Sequence, residues 1–218
     1  MAKKVFLSAG HGGKDSGAVG NSLKEKDINL NVLLKCKSEV ERHDVKVVCS
    51  RTKDENDPVA DEVKEANKSG ADIAVSFHAN AGGGDGSETY YYTSSKDGKK
   101  LAELCEKHTK AIGQNSRGVK NGNHLYFVNS TSMVAVLCEC AFLDNKTDKK
   151  IIDTKAEQEA FGVAYAKAIL EYLGVKYKEP KKIVYKLQIS NKYNKKSDAT
   201  AAQKELKKLG YSVKVITE

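Results

Sequence analysis

The sequence contains no tryptophan, only two prolines and no long apolar run. No stretch approaches the roughly 20 apolar residues of a membrane-spanning helix, so a transmembrane protein is excluded. The five cysteines are odd in number and form no CxxC pair, which predicts reduced thiols and not a disulfide framework. The chain also opens directly into a strand-like segment, so we expect no signal peptide. What remains, 39% hydrophobic and 30% charged residues, is typical of a globular protein.

The excess of positive charge is confined to the end of the chain. Residues 1–175 hold 25 Lys+Arg and 25 Asp+Glu, whereas residues 176–218 hold 12 Lys and four acids and so carry the whole net charge of +8. This shift in composition, punctuated by Gly174 and Pro180, predicts a domain boundary after residue 175. We expect a first domain over 1–175 and a small basic unit over 176–218, which is near the size limit for independent folding.

Strand-like and helix-like segments alternate along the first domain. The predicted strands are 5–9, 45–49, 71–80, 88–93, 124–128 and 134–140. The predicted helices are 25–42, 57–69, 97–112 and 156–173. This alternation predicts an α/β fold: a twisted, mostly parallel sheet with helices on both faces. In such folds functional sites collect at the carboxyl ends of the strands.

Two histidines follow predicted strands at matching positions. His11 lies in a glycine-rich turn after the first strand, and His78 lies near the end of the strand 71–80. A catalytic zinc takes three protein ligands, and Glu25 at the start of the first helix qualifies as the third, with Asp27 competing for the role. Other interpretations stay open: solvated or structural histidines, a weak phosphate-binding loop, and a helix-terminal acid favoured by the macrodipole.

Glu139 lies within the otherwise apolar segment 134–143. An ionised carboxylate is costly there unless it is paired, lies near a metal or has a raised pKa. Two interpretations remain open, a buried structural ion pair and a general base beside a metal-activated water. Cys138 and Cys140 flank Glu139, but alternation along a strand directs them to the opposite face, which predicts packing residues.

Together these segments resemble the zinc-dependent N-acetylmuramoyl-L-alanine amidases of the amidase-3 type. The resembling segments are 5–18, 23–30, 50–52, 75–81, 117–120 and 137–145, collinear over about residues 3–173. The resemblance implies that His11, Glu25 and His78 bind Zn2+ and that Glu139 is the catalytic glutamate. It implies hydrolysis, in peptidoglycan, of the amide between N-acetylmuramic acid and L-alanine of the stem peptide, by zinc-activated water with Glu139 as the general base.

The basic unit has a pattern of its own. Residues 183–189 and 211–216 predict strands and 197–210 predict a helix, a small β-α-β unit similar to half of a sporulation-related (SPOR-type) domain, which binds glycan strands. Since a single unit cannot bury its apolar face, we expect two tails to pair in a homodimer. The lysines predict attachment to anionic wall polymers. The alternative is a small appendage docked on the first domain, with the lysines merely solvated.

Two other functions stay open at this point, a zinc peptidase that cuts within the stem peptide and a catalytically silent wall-binding protein. No nucleic-acid or membrane partner is expected, because the first domain has no basic stripe and the tail has no base-reading motif. The expected absence of a signal peptide predicts a bacteriolytic enzyme that is made in the cytoplasm and acts on the cell wall after release, either as a phage endolysin or as an autolysin freed by mother-cell lysis.

Overall fold

A computed structural model of the chain describes residues 3–180, 195–211 and 213. The chain divides into two compact units, Met1–Lys178 and Glu179–Glu218, and each is described by itself. The division falls three residues beyond the predicted boundary. Among the described residues, no helix has the length and apolar character needed to cross a membrane.

The first unit contains eight strands and six helices in its described part. The strands are β1 Lys4–Ala9, β2 Val19–Gly20, β3 Leu23–Lys24, β4 Lys46–Cys49, β5 Ile73–Asn80, β6 Ser87–Tyr91, β7 Ser116–Asn121 and β8 Val134–Phe142. The helices are α1 Glu25–Glu41, α2 Val59–Ser69, α3 Lys96–Ala111, α4 Tyr126–Ser130, α5 Lys146–Ile152 and α6 Lys155–Tyr172. The second unit contributes α7 Lys196–Lys208.

Six strands form one sheet in the order β4-β1-β5-β8-β6-β7, and β2 and β3 form a separate pair. Pairing is parallel from β4 through β8, β6 runs antiparallel to β8, and β7 is parallel to β6. Helices α1, α3 and α6 pack on one face over the larger core, and α2 and α4 pack on the other over a smaller one. The predicted α/β fold, with a mostly parallel sheet between two helical layers, is confirmed.

Side-chain alternation along the central strands decides what each face receives. In β5, Val75 and Phe77 belong to the larger core, whereas Ala74 belongs to the smaller one. The same period of two in β8 places Cys138 and Cys140 in the larger core, fully buried and as free thiols. Their predicted role as packing residues is therefore confirmed. The alternate residues of these strands point to the face of the smaller core, and side chains on that face can contribute to a functional site.

Local signals explain where the predicted helices begin and end. Pro58 precedes the first residue of α2, and Gly70 ends that helix in the left-handed conformation with φ 64°. Helix α6 begins with a capping box, in which the Thr154 side chain accepts from the Glu157 backbone and the Glu157 carboxylate accepts from the Thr154 backbone. These two helices match the predicted segments 57–69 and 156–173 to within two residues.

Several elements of the first unit differ from the predictions, among them the two-residue strands β2 and β3, which were not predicted. The predicted strand 124–128 is wrong: His124 lies in a turn, and α4 follows because only Phe127 and Val128 turn inward while Tyr126 stays exposed. The edge strand β7 and the short helix α5 were not predicted, since both are largely polar and lack a clear period. In the second unit, α7 agrees with the predicted helix 197–210, whereas the predicted strand 183–189 and most of 211–216 lie outside the described residues.

Candidate metal centre

The loop after β1 depends on glycine for a close approach between chain segments. A Cβ atom at Gly10 would lie 2.1 Å from Cε1 of His78, so only glycine lets that imidazole lie against the loop. Gly17 combines a φ of 61° with a similar constraint, because its Cβ atom would lie 2.5 Å from Glu25 Oε2. His11 itself has a φ of 65°, an uncommon conformation that turns the backbone sharply after the strand.

His11, Glu25 and His78 converge at the carboxyl edge of the sheet. One ligand atom from each lies within 4.8 Å of the others. Glu25 Oε1 is 3.2 Å from His11 Nε2 and 2.9 Å from His78 Nδ1. The two imidazole rings meet edge to face, with centroids 5.2 Å apart. Asp27, the competing third ligand, is outside this cluster of described residues.

The Glu25 carboxylate is buried and firmly held. Its Oε2 accepts a hydrogen bond from Ala18 N at 2.8 Å, and its Oε1 accepts one from Ala79 N at 3.2 Å. Burial acts to raise the pKa of Glu25, but the hydrogen bonds from His11 and His78 outweigh it and hold that pKa well below its usual range. The hydrogen bond to Glu25 likewise raises the pKa of His11 to about 9. The carboxylate is thus ionised throughout the physiological range.

Further polar groups orient the cluster from outside. His11 Nδ1 is 2.8 Å from Asp15 Oδ2, which leaves Nε2 as the nitrogen directed at Glu25. Arg51 is only 2% exposed and donates to the carbonyl oxygens of Ala9 at 2.9 Å and Lys26 at 2.8 Å. Its guanidinium therefore ties the histidine loop to the first turn of α1. Neither residue was predicted from its chemistry. The available signals were the His-to-Asp spacing of four and an arginine shortly after the strand β4.

The donor set fits zinc. Two imidazole nitrogens and one carboxylate oxygen are a ligand combination of catalytic zinc sites, which leave the remaining position to water or substrate. The contact between His11 and Asp15 supplies the carboxylate that metal-binding histidines use to fix their ring orientation. The glycines at 10 and 17 leave room for the ligand side chains, since a Cβ atom at either position would collide with them.

Glu139 lies beside this cluster without belonging to it. Its position in β8 is the register partner of His78 in β5 and of Glu88 in β6. Within the described residues, its Oε2 is buried and has no hydrogen-bond partner. Burial raises the pKa of Glu139 to about 7, although the nearby His78 imidazole opposes the shift. A structural ion pair would satisfy this carboxylate, so its unpaired oxygen favours the alternative, a group kept available for proton transfer.

Glu88, the register partner of Glu139 in β6, differs from it because both of its carboxylate oxygens accept hydrogen bonds. It is 4% exposed, its Oε2 accepts from Arg117 Nε at 2.7 Å, and its Oε1 accepts from Tyr90 Oη at 2.7 Å. These donors hold the pKa of Glu88 below its usual range in spite of burial. Neither Glu88 nor Arg117 was predicted to be a site residue. The segment 117–120 was noted only as one of those that resemble the amidase-3 type.

Comparison with known proteins gives consistent matches. Residues 5–171 match the family described as N-acetylmuramoyl-L-alanine amidase. An endolysin of Bacillus phage SPP1 is 40% identical over 82% of this chain and 69% of its own length. The N-acetylmuramoyl-L-alanine amidase CwlM of Bacillus licheniformis is 32% identical over 98% of this chain and 84% of its own. The solved catalytic domain of CwlV, an N-acetylmuramoyl-L-alanine amidase from Bacillus (Paenibacillus) polymyxa var. colistinus, is 36% identical, has a TM-score of 0.74, and aligns over 80% of this chain and 99% of that one.

The raised pKa of Glu139 makes stability depend on pH in a predictable direction. Between pH 4.5 and 7 the folded chain holds a proton at Glu139 that the unfolded chain releases, so this group stabilises the fold at low pH and the contribution is lost as pH rises through 7. In chelator-treated protein, the Glu139→Gln variant should therefore gain about 2 kcal/mol in unfolding free energy relative to the unsubstituted protein between pH 5 and 8.

Urea unfolding of both proteins across this pH range measures the difference. The matched control is Glu103→Gln, since Glu103 is an exposed carboxylate on α3, a helix that supplies no residue of the cluster. Its difference should stay flat with pH. A difference that is also flat for Glu139→Gln would show that Glu139 titrates normally.

Proposed function

This chain belongs to the N-acetylmuramoyl-L-alanine amidase family, and we propose that it cuts peptidoglycan between N-acetylmuramic acid and L-alanine with a zinc site of His11, Glu25 and His78. Family membership makes it a peptidoglycan hydrolase. The observation that carries the residue assignment is the convergence of the three ligand atoms within 4.8 Å, beside an unpaired Glu139 carboxyl oxygen. No observation favours the peptidase or the silent wall-binding alternative.

Each ligand has a physical role in holding the metal. Zinc, when bound, polarises the scissile carbonyl and lowers the pKa of a water molecule towards about 7. Glu25 supplies the negative charge, and its two backbone hydrogen bonds fix the orientation of the carboxylate. Asp15 orients the His11 ring, and Arg51 holds the loop that carries it.

Glu139 handles the protons in this proposal. Burial raises the pKa of Glu139, which favours a carboxyl group that accepts a proton from the attacking water and then passes it to the departing amine. Two carboxyl groups in one site thus perform different tasks: Glu25 stays ionised among donors, while Glu139 exchanges a proton in a less polar environment. Cys138 and Cys140 take no part, since both point into the larger core.

We further propose that the basic unit attaches the enzyme to anionic wall polymers and pairs with a second copy. In its described part, helix α7 buries no residue, and the adjacent Leu209 and Tyr211 are 73% and 55% exposed. The match to CwlM extends over 98% of this chain and so includes this unit. Apolar side chains left uncovered beside a lysine-rich helix suit both a partner copy and an anionic polymer.

The proposed site of action is the cell wall, reached after release from the cell in which the chain is made. The relatives include an endolysin of Bacillus phage SPP1 and an amidase of Bacillus licheniformis, so similar proteins occur in both a phage and a bacterium, the two origins proposed for this chain. Bacteriolytic action follows from cutting the stem peptides away from the glycan strands.

Product analysis tests the reaction. Digestion of purified peptidoglycan should release peptides with free N-terminal L-alanine and leave the glycan strands intact, as measured by mass spectrometry. Glu139→Gln keeps the shape and removes the proton acceptor, so we expect kcat to fall about 100-fold or more. Bound zinc should be unchanged in that variant. Cleavage at any other bond, or full activity of Glu139→Gln, would contradict the proposed reaction.

Metal content tests the ligand assignment. Glu25→Gln removes the only negative ligand, so we expect zinc bound per chain, measured by elemental analysis after dialysis, to drop from about one to near zero. Asp27→Asn is the matched control, because it makes the same chemical change two residues away and outside the cluster. Equal zinc loss in both variants, or in neither, would contradict the role of Glu25.

Removal of residues 179–218 tests the basic unit. Because residues 179–218 carry +6 of the net charge of +8, binding of the full chain to isolated walls should weaken steeply as salt rises from 50 to 500 mM, and the shortened chain should bind weakly at all salt concentrations. Light scattering should give a dimer for the full chain and a monomer for the shortened one. Unchanged wall binding, or two monomers, would refute the corresponding half of the proposal.

A further inference from the structure

A row of polar side chains crosses the sheet beyond the metal cluster. The register pairs His78 in β5 with Glu139 in β8, and Glu139 with Glu88 in β6. Arg117 in β7 continues the row, because it falls within the register shift between Ser87 and Thr89, opposite Glu88. Four neighbouring strands thus contribute an imidazole, two carboxyl groups and a guanidinium in sequence.

The guanidinium of Arg117 is fixed but only partly used. Its Nε donates to Glu88 Oε2 at 2.7 Å, and its central carbon lies 5.1 Å from the centre of the Phe142 ring. Within the described part of the chain, its two Nη groups have no hydrogen-bond partner, and the side chain is 41% exposed. An arginine oriented on two sides, with a free pair of donors facing solvent, matches the geometry with which guanidinium groups bind carboxylates.

The position of Arg117 suggests which part of the substrate it meets. In the proposed reaction Glu139 protonates the departing amine, so the peptide leaves from the Glu139 side of the metal ligands. Continuing away from those ligands leads to β6 and β7. Neighbouring strands are about 4.8 Å apart, and one residue of extended peptide spans roughly 3.5 Å. The hydrogen bond to Glu88 holds the guanidinium near β6, one strand from Glu139. With the scissile amide placed at Glu139, the guanidinium therefore lies about one residue of extended peptide beyond that amide.

We propose that Arg117 binds the free carboxylate of the second stem-peptide residue and so makes the enzyme selective for acidic over amidated stem peptides. This inference rests on the proposed function and adds a specificity-determining residue to it. Glu88 is a positioning residue in this scheme: it holds the guanidinium at one edge and is itself held by Tyr90 and Asn80. The carboxylate of the substrate would complete the second edge of the fork.

Two muramoyl tripeptides that differ only at the second residue, D-glutamate or its α-amide D-isoglutamine, provide the test. We expect kcat/KM to be about tenfold higher for the carboxylate form, the size of one charge-assisted hydrogen-bonded pair. Arg117→Gln should abolish this preference by raising KM for the carboxylate form about tenfold, while kcat changes by less than about twofold. Arg117→Lys keeps the charge beside Glu88 but not the fork, so it should retain part of the preference.

The control is Lys99→Gln, which removes one positive charge from an exposed pair on α3 and should leave the preference intact. An unsubstituted enzyme that cleaves both tripeptides equally, or an Arg117→Gln variant that keeps the preference, would overturn the inference. Melting temperatures show whether loss of the Glu88 partner unfolds Arg117→Gln, in which case Arg117→Lys decides alone.

Binding separates this inference from the proposed function. Calorimetric titration of both tripeptides into the Glu139→Gln protein needs no turnover. Tighter binding of the carboxylate form that disappears with Arg117→Gln would support the role of Arg117 even if the unsubstituted enzyme released no L-alanyl peptide, an outcome that would contradict the amidase reaction alone. Equal binding of the two forms would overturn the role of Arg117.

Discussion

The register between β5 and β8 is the constraint on which the site depends. It sets His78 beside Glu139, and the antiparallel pairing of β6 adds Glu88 to the same row. Because side chains alternate with a period of two, a slip of β8 by one residue would move Glu139 into the larger core and bring an apolar neighbour to the site. The buried apolar residues of that core, which include Phe77 and Cys138, make such a slip costly. Packing on one face therefore fixes catalytic geometry on the other.

Within that frame, environment decides what each carboxyl group can do. Glu25 is surrounded by donors, two imidazoles and two backbone N–H groups, so it stays ionised despite burial. Glu139 has a buried oxygen without a donor in the described residues, and its pKa rises to about 7. Glu88 lies one strand further and is neutralised by Arg117. In the proposed function, these three acids, one at the start of α1 and two in the neighbouring strands β8 and β6, serve as a ligand, a proton carrier and an anchor, because their hydrogen-bond partners differ.

The sequence predicted those parts of the molecule that follow from local pattern. The apolar segments containing Val75 and Val136 identified the central strands, and Gly70 marked a helix end. The residues of the cluster were predictable because His11 and His78 both lie at the carboxyl ends of predicted strands. The pair of Arg117 and Glu88 was not predictable. Arg117 lies on an edge strand whose sequence shows no alternation of apolar residues, and the register between this strand and β6 is irregular. The prediction of a strand at 124–128 was wrong because two buried apolar residues are equally compatible with one turn of helix.

The distribution of charge separates two kinds of electrostatics in one chain. The first domain has no net charge over 1–175, and the charges that matter in it are buried or paired at short range, as with Glu25 between two imidazoles. Such contacts are little affected by salt, because screening acts over about 10 Å through solvent. The lysines beyond residue 175 are many and, on α7, exposed, so their attraction to an anionic wall is long-range and salt-sensitive. Under the proposed function, the enzyme can therefore lose its hold on the wall with rising salt while its cleavage chemistry at each bound stem peptide stays the same.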